Sequence, residues 1–504
     1  MVKESKQELK RGAGILMPIS SLPSEYGIGT LGDESYRFTD FLKRVGCRYW
    51  QVLPVGPTSY GDSPYQSFSA FAGNPYFIDL DYLVSEKLLL PEEITEVEWY
   101  STEDNIDYSC IYQHRFPLLK KAFKRSKHID TEEFKDFYEA NRFWLKDYSL
   151  YMAVKNHFDN HEWLLWDEDI KFRKQDAIDQ YTEFLAEEIR FWEFCQFKFL
   201  QQWNNLKAYV NSQGIQLIGD IPLYVSADSS DVWVNGDLFE LDQRKNPINV
   251  AGVPPDAFSS EGQRWGNPLY NWEVMEQKDF FWWRERMKVS ARLYDIIRVD
   301  HFIGVVNYYS IPASSPSAIA GMWRSGPGKK LTDVISESIG EAKLIAEDLG
   351  IITPNVRELI QETGFPGMKV LEFCLSGPGD HEYLPHNYKT TNLVAYTGTH
   401  DNETLVGFIK GKKKEELAFA YRYFDVKRKV DLPYAIIRAL YSSIADVIIV
   451  QMQDLLLLDN KARMNYPSTI GGNWQWRMTK SKYLELDEEL LMEYAELYAR
   501  APRA

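Results

Sequence analysis

Eight short, nearly continuous apolar runs recur along the chain, with long amphipathic stretches between them. They fall near 13–19, 48–55, 215–221, 295–300, 343–347, 367–373, 392–397 and 446–453. A strand with one wet face alternates apolar and polar residues. A strand covered on both faces reads as an unbroken run rich in β-branched residues. Runs of the second kind, separated by helical patterns, specify parallel strands with helices packed outside them. Gly214 stands between the helical stretch 190–212 and the third run, where a helix end takes glycine. Eight such units favour closure over an open sheet, so the predicted fold class is α/β, a TIM-type (β/α)8 barrel.

The spacing of the runs is uneven. About 160 residues separate the second from the third, far more than one crossover helix needs. The interval 83–190 is rich in Glu, Lys, Tyr, Trp and Phe at helical spacing and predicts a mostly helical insertion. A second insertion, 226–290, contains Pro254-Pro255 and several Gly, Asn and Asp turn signals. A third, 304–340, carries Ser314-Ser-Pro-Ser317 and Gly326-Pro-Gly328. The reading is one catalytic barrel domain over 1–504, its insertions placed after strands and walling the mouth. A final helix near 485–500 leaves no room for an added C-terminal domain.

Composition narrows the partners. With 73 acidic against 57 basic residues the net charge is −16, which argues against a nucleic acid partner and fits a neutral substrate. No apolar stretch has the length of a membrane span: the best, 447–458, is cut by Gln451, Gln453 and Asp454. Cys47, Cys110, Cys195 and Cys374 form no CxxC pair, and Cys47 and Cys374 lie in or beside apolar runs. Reduced thiols and a cytoplasmic location are expected. Aromatic residues make up 14% of the chain, which a large core accounts for and which also leaves rings to stack on sugar faces.

Four carboxylates close apolar runs: Asp220 in Gly219-Asp-Ile-Pro222, Asp300 in Arg298-Val-Asp-His-Phe302, Glu347 in Ala346-Glu-Asp-Leu-Gly350 and Asp401 in Thr399-His-Asp-Asn402. One acidic residue after a strand is more often a helix cap. Four of them at strand ends, on the face where such barrels build their sites, suit glycosidic chemistry, which needs an anionic nucleophile and a proton donor. Arg298 precedes Asp300 by two residues, so both side chains share one side of the strand, and a guanidinium there should hold the carboxylate ionised. Glu347 and Asp348 must point oppositely, and the longer side chain reaches a glycosidic oxygen more easily. His301 and His400 flank carboxylates and can bond sugar hydroxyls. Neither 381–386, with a proline and the wrong spacing for HExxH, nor 326–330, lacking the P-loop glycine and hydroxyl, makes a metal or phosphate motif. No metal or other cofactor is expected.

Together with Ile19-Ser-Ser-Leu-Pro23, Tyr26-Gly-Ile-Gly29, Tyr60-Gly-Asp-Ser-Pro-Tyr-Gln66, Ala72-Gly-Asn-Pro75, Gly252-Val-Pro-Pro-Asp256, Gln263-Arg-Trp-Gly-Asn-Pro268 and Arg463-Met-Asn465, these motifs resemble the amylomaltase family, the 4-α-glucanotransferases of glycoside hydrolase family 77, from about residue 12 to 478. The resemblance implies a barrel of the α-amylase clan without a C-terminal β-sandwich, and a retaining double displacement on α-1,4-glucans and maltooligosaccharides. It makes Asp300 the nucleophile, Glu347 the general acid/base and Asp401 the transition-state stabiliser. Asp220, Arg298, His301 and His400 would contact the sugar at the cleavage point. Ser63, Tyr65, Trp265 and Asn465 match further substrate contacts, and 252–258 matches a mobile loop over the cleft. One departure is Tyr466-Pro467-Ser468, where the family has glycine third. By residue type alone, an α-1,4-glucan hydrolase would use the same carboxylates.

Overall fold

The structure, a computed structural model, describes residues 8–59, 61–99, 102–255 and 259–502. Among these, the chain forms strands β1 (Gly12–Leu16), β2 (Tyr49–Gln51), β3 (Gln216–Pro222), β4 (Asn249–Val253), β5 (Gln263–Pro268), β6 (Ile296–Asp300), β7 (Asn307–Pro312), β8 (Met322–Ser325), β9 (Lys343–Ala346), β10 (Gly367–Val370), β11 (Leu393–Tyr396) and β12 (Val447–Gln451). Each of the eight apolar runs contains one strand of a single sheet, ordered β10-β11-β12-β1-β2-β3-β6-β9. Every pairing in it is parallel. The two outer strands meet: Ala346 N–H donates to the Pro366 carbonyl at 3.0 Å, and Met368 N–H donates to Asp348 Oδ1 at 2.6 Å. The sheet is thus closed into a barrel.

The barrel strands are short and buried, which is why they read as continuous runs. β1 and β12 are buried at every position. The run at 48–55 yields only a three-residue ladder in β2. Gly219, next to Asp220, is set by packing: a Cβ there would lie 2.1 Å from the Tyr294 ring, which caps the helix Phe281–Leu293. A side chain at 219 would push that helix off the strand that positions Asp220.

The described residues between β2 and β3 include many helices, and the long helix Ala186–Ser212 carries the chain back to β3. Side chains start these helices: Asp107 accepts from Cys110 N–H at 3.0 Å and Thr131 Oγ from Phe134 N–H at 3.2 Å. Much of the aromatic content packs here, with Phe123, His128, Phe134, Phe194 and Phe197 ring against ring. Lys155 and Tyr151 both bond Asp228, at 2.6 and 2.5 Å, and tie the helix Glu132–His157 to the loop after β3.

The other two insertions hold structure that turn signals alone did not predict. β4, β5, β7 and β8 form a second, antiparallel sheet in the order β5-β4-β7-β8. Its pattern is weak in sequence because β8 is largely exposed and because the β4–β5 register breaks between Val250 and Gly252.

Candidate active site

The carboxylates converge because parallel strands deliver equivalent ends to one face of the barrel. Asp220 lies within β3 and Arg298 opposite it on β6, paired in register. Arg298 Nη1 donates to Asp220 Oδ1 at 2.7 Å and Oδ2 at 2.6 Å, and to Asp300 Oδ1 at 3.1 Å. Tyr65, from the loop after β2, donates its hydroxyl to Asp220 Oδ2 at 2.8 Å. Asp220 and Arg298 side chains are essentially buried, whereas Asp300 keeps 27% of its side chain open to the cleft.

Glu347 follows β9, the neighbour of β6. Its Oε2 accepts from His301 N–H at 2.6 Å and its Oε1 from Leu349 N–H at 3.1 Å. Asp348 turns the other way, onto Met368 N–H. The first of these bonds uses a kink: His301 sits at φ +52, and the turn that follows β6 aims its amide at Glu347. The His301 ring packs edge-on against Trp265 of β5, centroids 4.8 Å apart, so the second sheet contributes an aromatic wall to the cleft. Gln66 holds that wall from the β2 loop by donating to Asn267 Oδ1 at 3.0 Å.

Asp401 lies on the turn after β11. Asn465 Nδ2 donates to Asp401 Oδ1 at 2.6 Å, and Arg463 Nη2 donates to the Asp401 carbonyl at 2.6 Å. His400 Nε2 lies 3.4 Å from Asp401 Oδ2, and its ring stacks on Tyr65 with centroids 5.0 Å apart. Ser63 stands one turn away from this group: its Oγ accepts from Tyr65 N–H at 3.3 Å and shapes the loop that presents Tyr65. Of 252–258, Asp256 to Phe258 lie outside the described residues. At Ser468 the missing glycine is felt directly. Thr469 N–H closes a turn onto the Tyr466 carbonyl at 3.2 Å, proline is second, and Ser468 takes the third place at φ +66, where glycine is preferred. The turn nevertheless forms, and Asn465 reaches Asp401.

The electrostatics separate the two carboxyls flanking Arg298. Burial lifts Asp300 to about 6; Arg298 opposes the rise, Asp220 adds to it, His400 opposes and Asp401 adds. Arg298 favours the ionised form of Asp300, as its spacing predicts, but the guanidinium is shared with Asp220 and does not outweigh burial. Burial lifts Glu347 further, to about 8, with Arg298 opposing and Asp300 adding, while the two amide bonds resist. Burial alone would lower Arg298, but Asp220, Asp300, Tyr65 and Glu347 hold it charged. Asp401 goes the other way: burial would raise it, yet His400, Asn465 and Arg298 carry it well below the usual carboxylate range. His400 is raised in turn, Asp401 outweighing burial. Between about pH 6 and 8 the pair holds one anion and one proton. Sequence reasoning had no signal for Glu372 behind Asp401, and gave Asn402 and Arg463 only places in motifs. Among the described residues no group of three or more His, Cys, Asp or Glu side chains could hold a metal ion.

Residues 17–482 match the glycoside hydrolase 77 family model, described as 4-alpha-glucanotransferase. The chain is 46% identical to a 4-alpha-glucanotransferase of Clostridium butyricum over 96% of this chain and 100% of that one. It is 47% identical to a 4-alpha-glucanotransferase of Streptococcus pneumoniae over 97% and 98%. The solved amylomaltase of Streptococcus agalactiae in complex with acarbose superposes with a TM-score of 0.94 at 41% identity, covering 98% of this chain and 100% of that one.

Proposed function

The chain belongs to the glycoside hydrolase 77 family and is a 4-α-glucanotransferase, and on that premise we propose how its residues carry out the transfer. Asp300 attacks the anomeric carbon of a bound α-1,4-glucan while Glu347 protonates the departing glycosidic oxygen. The donor's reducing-end fragment leaves, and the remaining segment stays on Asp300 as an ester. Glu347, now ionised, takes a proton from a hydroxyl of an acceptor maltooligosaccharide, whose oxygen attacks the same carbon and frees Asp300. Two inversions give net retention. Asp401, kept anionic by His400 and Asn465, faces the positive charge that develops on the sugar. Asp220, Arg298, His301 and His400 hold the sugar at the cleavage point, and Ser63, Tyr65, Trp265 and Asn465 contact its neighbours.

The observation that carries this reading is the convergence of Asp300 and Glu347 at the ends of adjacent parallel strands, β6 and β9, where Arg298 Nη1 bonds Asp300 at 3.1 Å and His301 N–H, next to Asp300, bonds Glu347 Oε2 at 2.6 Å. A retaining pair stands about 5–5.5 Å apart. The barrel and its insertions act as one catalytic domain. No helix among the described residues is long and apolar enough to cross a membrane. The four cysteines are all unpaired and three are buried, in keeping with a cytoplasmic enzyme. The net charge of −16 argues against a nucleic acid partner.

Pure maltotriose tests the proposal. Transfer yields glucose and a ladder of longer maltooligosaccharides with little gain in reducing ends. Reducing ends rising in step with substrate loss, with no longer products, would make the enzyme a hydrolase.

A further inference from the structure

Behind the turn that bears His400 and Asp401 lies a buried polar chain that the reaction itself does not use. Asn402 Oδ1 accepts from Thr399 N–H at 2.9 Å and from Thr399 Oγ at 3.0 Å, so one amide ties the turn into a ring. Asp401 N–H completes it by donating to Thr399 Oγ at 3.4 Å. The other end of the Asn402 amide donates to Glu372 Oε1 at 3.0 Å. Glu372 comes from the short turn Leu371–Cys374 that follows β10, and its own N–H donates to the Thr397 carbonyl at 3.2 Å, where the bearing segment begins. Glu372 therefore grips that segment at two points, from a different strand of the barrel.

We propose that Glu372 is a positioning residue for the transfer reaction: acting through Asn402, it fixes the turn that presents His400 and Asp401 to the sugar. The proposal rests on the role given to Asp401 above. The side chain suits the task only when neutral. Its Oε2 is buried and has no hydrogen-bond partner among the described residues, so a full charge there would be unpaired. Burial raises Glu372 to about 8; Asn402 opposes, Asp454 and Glu403 add, and Arg463 opposes. These are the charged groups around it: Asp454 from the short helix Met452–Leu455 after β12, Glu403 from the turn's own segment and Arg463 from the loop that also braces Asp401. Asp454 is itself satisfied, accepting from Thr397 Oγ and Leu405 N–H at 2.7 Å each, and holds both ends of the same segment. Glu372 differs in leaving one oxygen without a donor, and burial lifts both carboxyls, Asp454 to about 7.

The test is a set of four single variants assayed on maltotriose, each with a thermal melt. Glu372→Met keeps the volume and removes the acceptor, and Asn402→Ala breaks the same contact from the other side. Each should lower kcat by ~10²-fold, as a displacement of about 1 Å at a reacting group does, with KM changed less than about threefold. Glu372→Gln keeps a neutral acceptor and should recover kcat to within about threefold of wild type. A melt that drops in Glu372→Met and Asn402→Ala while kcat stays put would reduce Glu372 to a structural residue and overturn the proposal. A Glu372→Gln variant as slow as Glu372→Met would overturn it too. If Glu372→Met fails to fold, Asn402→Ala and Glu372→Gln decide by the same criteria. Asp401→Asn separates the two levels: an active Asp401→Asn sinks the reading of the site, whereas an inactive one beside unaffected Glu372 and Asn402 variants sinks the positioning role alone. A pH profile adds a signature that packing cannot mimic. With α-glucosyl fluoride, whose leaving group needs no proton, wild type should still lose rate above about pH 8, and Glu372→Gln should not. Identical profiles would count against the proposal.

Discussion

Removing Arg298 should expose how the buried cluster is balanced. Its side chain is 4% exposed and that of Asp220 is fully buried, and the pair is joined by contacts of 2.6 and 2.7 Å. In Arg298→Met the aliphatic stem is replaced but the charge is not, and Asp220 keeps only the Tyr65 hydroxyl. A buried pair broken on one side costs about 3–5 kcal/mol, because the remaining charge is left without compensation. Adding Asp220→Asn removes that charge, leaving the loss of ordinary hydrogen bonds, about 1–1.5 kcal/mol. The double variant should then be about 2–3 kcal/mol more stable than Arg298→Met alone, although it carries one more substitution. Urea unfolding at pH 7, followed by tryptophan fluorescence, reads this as a midpoint for each corner of the cycle. All three variants should be inactive, so the comparison rests on stability. A double variant no more stable than Arg298→Met would refute the claim that an unpaired Asp220 is the source of the cost.

Glu347→Gln should lose roughly 10²–10⁴-fold on maltotriose yet partly recover its first half-reaction with α-glucosyl fluoride, and Asp300→Asn should recover nothing. Mass spectrometry should find the trapped glucosyl group on Asp300, and a label elsewhere would reassign the nucleophile. The pH dependence of kcat/KM should be a bell: rate is gained as Asp300 ionises through about 6 and lost as Glu347 releases its proton through about 8. Steady activity from pH 5 to 9 would contradict the division of roles. Ser468→Gly should raise stability by about 0.5–1 kcal/mol, since a side chain at φ +66 costs about 1–2 kcal/mol and glycine gives part of that back in chain entropy; a lower urea midpoint would show that the Ser468 side chain does more than strain the turn.

The barrel was legible because its strands are buried on both faces, so that 446–453 could hardly be anything but an inner strand and β12 occupies 447–451. The antiparallel sheet was not. Met322–Ser325 has neither alternation nor burial, and its pairing with β7 comes from the partner strand. At the site, chemistry-bearing residues at strand ends could be read one at a time, as with Asp300 and Glu347. What each of them leans on could not. Arg463 reaches Asp401 across 62 positions and Asn402 reaches Glu372 across 30, contacts that exist only once β10, β11 and β12 are side by side. The net direction at Asp300 was hidden for a related reason: spacing shows that Arg298 is near, but not that Asp220 claims most of it.

The ring of eight strands is stitched in two ways, and the odd stitch has a use. Seven joints are ladders of parallel strand pairing, while among the described residues β9 and β10 meet through the Ala346 N–H to Pro366 carbonyl bond and the Asp348 side chain acting as a rung. Glu347 follows the strand beside that seam, which pairs with β6 over four positions. The placing of the proton donor beside the nucleophile is thus set by the β6–β9 ladder. Asp348 is the handle by which the width of that seam could be tuned without altering any group that meets the sugar.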